Sequence, residues 1–126
     1  DMIPKKKLYN AMQSLIRVMK ALSDPNRVRV LKLLHGKELC VCEIQTLLGL
    51  AQSTVSKHMK ILEDAGLVTR LREGSWIIYR LSNGEDSLYA QTMLRELKDW
   101  LKEDEALAAM VAALPEARVM RNSCKA

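Results

Sequence analysis

Residues 38–81 contain two helix-forming segments around a glycine turn, followed at once by alternating apolar residues, and few folds accommodate that order. The first segment, residues 42–48, places Ile44, Leu47 and Leu48 inward. Gly49-Leu50-Ala51 supplies the turn. The second, residues 52–65, carries Val55, Met59 and Leu62 at i, i+4 and i+7, the spacing of one buried helix face. Gly66 ends it. Two strands then alternate, residues 67–72 and 76–81, around Glu73-Gly74-Ser75, with Ile77, Tyr79 and Leu81 on one face and Ile78 and Arg80 on the other. A short helix, a tight turn, a second helix and a hairpin make a helix-turn-helix with a wing.

The flanking segments read as helices. Residues 5–22 place Leu8, Met12, Leu15, Ile16, Met19 and Leu22 at helical spacing. Asp24 can cap the next helix and Pro25 fits its first turn, where a missing N–H costs nothing. Val28, Leu31 and Leu34 form its inner face, widened by Val30 and Leu33, and Gly36 stops it. His35, in the last turn, is expected to complement the helix dipole and not to hold a metal. A final helix over residues 85–114 carries Leu88, Leu94, Leu97, Leu101, Leu107, Met110 and Val111, with Pro115 as its end. The expected architecture is a mainly α winged helix with a small β-hairpin over residues 1–114 and a C-terminal tail over 115–126.

The charge distribution points to nucleic acid. Net charge is +5, but residues 1–84 hold fourteen Lys/Arg against seven Asp/Glu, while the remainder holds six against eight. The basic part contains the helix-turn-helix, as phosphate neutralisation requires. The second helix should enter a major groove by its N-terminal end. Gln52, Ser53, Thr54 and Ser56 are then candidates for base edges, since amides and hydroxyls read adenine or thymine patterns. Lys57 and Lys60 suit phosphates. Arg70 and Arg72 lead to the wing tip, and His58, beside the core stripe, is either a further DNA contact or a packed side chain. No apolar run approaches a membrane span and no signal-peptide pattern opens the chain, so a cytoplasmic protein is expected. Catalysis is not expected, because no phosphate loop or Cys–His catalytic box is present. Asp99, Glu103, Asp104 and Glu105 read as a solvated helix face.

Three cysteines, Cys40, Cys42 and Cys124, form no disulfide framework. Residues two apart on a helix point about 200° away from each other. In extended chain they share a face, with Cα atoms about 6.5–7 Å apart. A soft ion with metal–sulfur bonds of about 2.3 Å needs its sulfurs within about 4 Å. Cys40 and Cys42 can therefore chelate only if the start of their helix is not regular. Plain packing of small apolar thiols and oxidant sensing, with Cys40 or Cys42 pairing to Cys124 or across a dimer, are the competing readings.

The segments ALSDPNRVRVLKLL, ELCVCEIQTLLGL, QSTVSKHMKILEDAGLV and REGSWIIYRLS, in that order and spacing, resemble the ArsR/SmtB family of metal-responsive repressors over roughly residues 19–83. The resemblance implies a winged-helix homodimer paired through its first and last helices. It further implies binding to operator DNA with an inverted repeat and release when an inducer binds. ELCVCE is similar to the thiolate box of arsenite and antimonite sensors, which implies As(III) or Sb(III) on Cys40 and Cys42. Cadmium and lead sensors carry a similar pair, so Cd(II) or Pb(II) is the alternative. The family's usual third cysteine is replaced here by Gln45. An ion that prefers three sulfurs could then take its third from Cys124, of the same or the partner subunit, or from a small cellular thiol. The family's zinc site on the last helix needs histidine, and that segment has none.

Overall fold

Asp24 starts its helix as the sequence predicts. Its Oδ1 accepts the N–H groups of Asn26 at 2.8 Å and Arg27 at 3.2 Å, with Pro25 in the first turn. Burial pushes this carboxyl up, but the backbone N–H groups of Arg27 and Asn26 outweigh it and hold the group below the ordinary carboxylate value, helped by the charge of Arg27. A computed structural model describes residues 5–85 and 87–119. Among these the chain forms α1 (Lys5–Ala21), α2 (Pro25–Leu33), β1 (Leu39–Cys40), α3 (Val41–Leu48), α4 (Gln52–Asp64), β2 (Val68–Glu73), β3 (Trp76–Leu81), α5 (Leu88–Leu97) and α6 (Glu105–Val119).

The core is where the helical stripes meet. Val30, Leu31, Leu33 and Leu34 from α2 and its end, Ile44 from α3, and Val55, Met59 and Leu62 from α4 are fully buried, with Leu39 and Leu67 beside them. Burial of each such side chain contributes about 1.5–3 kcal/mol, which is why the i, i+4, i+7 pattern of α4 decides its orientation. The opposite face of α4 is thereby left to solvent.

The hairpin forms with register from Val68↔Leu81 to Glu73↔Trp76, so Gly74 and Ser75 are its two-residue loop. Gly74 has φ 61°, the positive value that the first loop position of such a turn requires. A third strand adds to the expected two. Leu39 and Cys40 pair with Tyr79 and Ile78, giving the sheet order β1-β3-β2. A two-residue strand has no periodicity to read, so the sequence pattern could not show it.

The apolar stripe of α1 is open at Met12, Ile16 and Met19, which are 65%, 43% and 42% exposed, whereas Val18 and Ala21 are buried. Three expectations are corrected. The final helical region is two helices, because Leu101 adopts φ 62° in the stretch between α5 and α6. Asp104 is therefore not on a solvated helix face: its carboxylate accepts from Leu107 N at 2.9 Å and binds Arg29 at 3.0 and 3.3 Å, capping α6. Pro115 lies inside α6 and does not end it. The carbonyl its missing N–H leaves without a helical partner belongs to Val111, an exposed residue whose carbonyl water can serve.

One edge of α2 holds the junction between α5 and α6. Arg29 takes Asp104, and Lys32 Nζ donates to the carbonyls of Leu97 at 2.6 Å, Lys98 at 3.3 Å and Trp100. His35 places Nδ1 at 3.0 Å from the Leu31 carbonyl and Nε2 at 3.1 Å from that of Leu94. These are last-turn carbonyls, the groups that a helix end leaves without internal partners. α6 then packs against α3 and α2. No helix of the described residues is long and apolar enough to cross a membrane.

Candidate nucleic-acid interface and thiol site

α4 presents the expected face. Gln52, Ser53, Thr54, Ser56, Lys57 and Lys60 are all exposed along it. Its N-cap is Ala51, whose methyl cannot accept a hydrogen bond, and no acidic residue occupies the first turn. The opening N–H groups of α4 therefore suit a phosphate as well as a base edge. Lys60 is bridged to Asp64 at 3.3 Å, an exposed pair of little energetic weight.

His58 receives an intramolecular partner in place of the candidate DNA contact. It is half-buried, and its Nδ1 lies 3.1 Å from Arg27 Nη1. A guanidinium only donates, so Nδ1 accepts. Arg27 also donates to the carbonyls of Ala21 at 2.8 Å and Lys20 at 3.1 Å, which ties α4 to the joint between α1 and α2.

In the wing, Arg70 and Arg72 are exposed on β2. Arg72 Nε donates to the Gly74 carbonyl at 3.3 Å, bracing the tip. Arg70 stands opposite Tyr79. Burial pushes the Tyr79 phenol up, and the Arg70 guanidinium, hydrogen-bonded to it, pulls the other way. Arg70 is thus anchored at its inner side while its residue remains open to solvent.

The two nearby cysteines differ in setting. Cys40 is the N-cap of α3, with φ −85° and ψ 165°, and is buried at 2% exposure. Cys42 is the second residue of the helix and half-buried. The pair therefore straddles the boundary between extended chain and helix, which is the irregular start that chelation by residues two apart demands. Cys40 is a free thiol, and Cys42 stands in a disulfide. Cys124 lies outside the described residues. Among the described residues no group of three or more His, Cys, Asp or Glu side chains converges as a metal site.

Glu43 was not singled out by the sequence reading, yet it is fully buried beside the pair. Its Oε1 accepts the Cys40 N–H at 2.8 Å. The Cys40 sulfur faces the Glu43 N–H in return, completing the outline of a capping box without making a full hydrogen bond. The signal was present as the spacing of an N-cap residue and a glutamate three positions on, with cysteine in the place of serine or threonine.

A cavity of about 210 Å³ joins the thiols to the reading face. Cys40, Cys42 and Gln45 of the α3 region line one side, Gln52 and Ser56 of α4 another, and Arg70, Trp76, Ile77 and Tyr79 of the wing the rest. Gln45 thus borders the same space as the pair. A group bound at these sulfurs would lie between α4 and the wing.

Comparison with known proteins agrees with the winged-helix fold. Residues 24–70 match the family model described as bacterial regulatory protein, arsR family. The arsenic resistance transcriptional regulator ArsR1 of Pseudomonas putida is 35% identical over 107 residues, covering 81% of this chain and 83% of that protein. An arsenical resistance relative from Halobacterium salinarum is 38% identical over 80 residues, and the match spans 62% of each chain. Among solved structures, reduced HlyU from Vibrio cholerae superposes with a TM-score of 0.62 at 27% identity, covering 77% of this chain and 98% of that one.

Proposed function

This chain belongs to the ArsR family of winged helix-turn-helix transcriptional repressors, and from that premise we propose that it is an arsenic-responsive repressor whose DNA grip is set by Cys40 and Cys42. ArsR-family helix-turn-helix proteins are DNA-binding regulators and not enzymes. In the proposed reading the protein acts in the cytoplasm as a homodimer on an inverted-repeat operator. As(III) or Sb(III) binds the two thiolates, with Cys124 as third sulfur, and the operator is released. Cd(II) or Pb(II) is the alternative inducer on the same pair.

The observation that carries this reading is the cavity shared by Cys40, Cys42, Gln52, Ser56 and Arg70. A ligand drawing the two sulfurs together must disturb the first turn of α3. That turn packs on α4 and borders the wing, so the disturbance reaches the DNA contacts directly. Dimer formation is supported by Met12, Ile16 and Met19, an exposed apolar stripe on α1, together with Leu88 of α5, which is 69% exposed. A two-fold pair would then set two α4 helices about one DNA turn apart, the spacing an inverted repeat requires.

The test is operator release measured by fluorescence anisotropy during titration with arsenite, cadmium and peroxide. Wild type, Cys40→Ser, Cys42→Ser, the double variant and Cys124→Ser are compared. Arsenite should release wild type and fail with the double variant; release from the double variant would refute the reading. An unchanged arsenite response in Cys124→Ser would remove only the third ligand. A second reading, release by thiol oxidation, is favoured by the disulfide at Cys42. Under that reading peroxide releases the operator, a reductant restores binding, and Cys42→Ser is blind to both.

A further inference from the structure

Glu43 is a carboxylate with no exposed surface, placed between the two features that the proposed function must connect. Burying such a group is unfavourable unless it is hydrogen-bonded. Its Oε1 makes a 2.8 Å bond to the Cys40 N–H. That bond fixes Cys40 in the extended conformation from which α3 starts, with φ −85° and ψ 165°. An N-cap is ordinarily closed by the oxygen of Ser, Thr, Asp or Asn. Here the capping residue offers sulfur, a weak acceptor, so the start of α3 depends on the carboxylate reaching back from inside the helix.

We propose that Glu43 is a positioning residue for inducer response: it holds Cys40 in the cap geometry of the DNA-competent state, so that an ion can join Cys40 to Cys42 only by breaking the Glu43–Cys40 bond. The inference rests on Cys40 and Cys42 being the inducer ligands. Cys40 has two incompatible duties. In the empty protein its extended backbone, held through its N–H by Glu43, starts α3. In the occupied protein its sulfur must turn toward Cys42, one residue inside the helix. The Glu43 bond opposes that turn, so it lowers ion affinity while keeping α3 in the shape on which α4 rests. Ion binding and loss of the cap then become one event, and α3 packs directly against α4 and β1.

The test uses full-length protein in a monothiol or phosphine reductant, with arsenite as probe. Binding to DNA-free protein is followed by thiolate–arsenic absorbance, and amide exchange at Cys40 by NMR. Glu43→Met keeps most of the volume and removes the acceptor. Glu43→Gln keeps an oxygen at the same place. Loss of one cap interaction corresponds to about a five-fold change in an equilibrium constant. Glu43→Met should therefore bind arsenite about five-fold more tightly and release operator at about five-fold less arsenite, while Glu43→Gln stays near wild type. Unchanged arsenite affinity in Glu43→Met, or weaker affinity, would overturn the proposal, since a purely structural role lowers stability without tightening ion binding.

Wild type supplies a measurement independent of any variant's folding. The Cys40 amide should be protected in the empty protein and lose protection when arsenite saturates. Protection that persists at saturation refutes the role of Glu43 alone. Absence of arsenite binding to wild type refutes instead the inducer reading on which it rests.

Discussion

Replacing Lys57 with alanine should weaken DNA binding without changing which sequence is preferred. Lys57 is exposed on the solvent side of α4, one turn beyond the N-terminal residues that would meet base edges. Lys60, by contrast, is already paired to Asp64 at 3.3 Å. Each phosphate neutralised contributes about 0.9 to the slope of log K against log salt. A dimer carries Lys57 twice, so the variant should flatten that slope by about 1.8. Between about 50 and 200 mM salt, the affinity of wild type should therefore fall about ten-fold more than that of Lys57→Ala. Anisotropy titrations of operator and scrambled duplex at several salt concentrations provide the measurement. Both duplexes should lose affinity by the same factor. A loss confined to the operator would place Lys57 on a base edge, and an unchanged slope would remove it from the interface.

Further predictions follow from the site and the hinge. Gln45 borders the cavity of the cysteine pair and sits three residues after Cys42, on the same helix face. Gln45→Cys in a Cys124→Ser background should restore arsenite release at about ten-fold or more below the concentration its parent needs; no restoration would show that the third sulfur must come from elsewhere. The Arg29 guanidinium and the Leu107 N–H hold the Asp104 carboxyl below its ordinary value of 3.8. A depressed value stabilises the fold above the unfolded pKa and loses that contribution as pH falls through the folded one. Asp104→Asn should therefore lower the melting temperature at pH 7, and the difference should shrink as pH falls below 3.8 and vanish only below the depressed folded value. A difference that persists in acid would mean that packing, not the ion pair, is lost.

Much of the fold was legible because its signals are local. The α4 stripe, the Asp24-Pro25 start and the Gly74 turn each follow from chemistry within a few residues. The errors concern relations between distant segments. The break at Leu101 is invisible to periodicity, because its anchors are Arg29 and Lys32, some seventy residues earlier in the chain. At the site, the candidates at the N-terminal half of α4 and in the wing are exposed together, whereas His58 is claimed by Arg27. That pairing depends on how α2 lies across α4, which no local pattern encodes. Glu43 was readable in principle through its three-residue offset from Cys40, but cysteine in the capping position obscured the box.

If the cysteine pair governs DNA binding as proposed, the cavity between α3, α4 and the wing supplies the route, which the same pair on a surface loop would lack. α3 is only eight residues long, and its start is tied by the Glu43–Cys40 bond and by the pairing of β1 with β3. Gly49, with φ 67°, closes its other end. A disturbance at Cys40 therefore cannot be absorbed along a long helix. It passes sideways, into α4 on one flank and α6 on the other, since these are the helices that pack on α3. α4 carries the groups suited to bases and phosphates, so the first route changes affinity for DNA. α6 is held at its start by Arg29 through Asp104, so in the proposed reading the route that bears on DNA is the one through the reading helix.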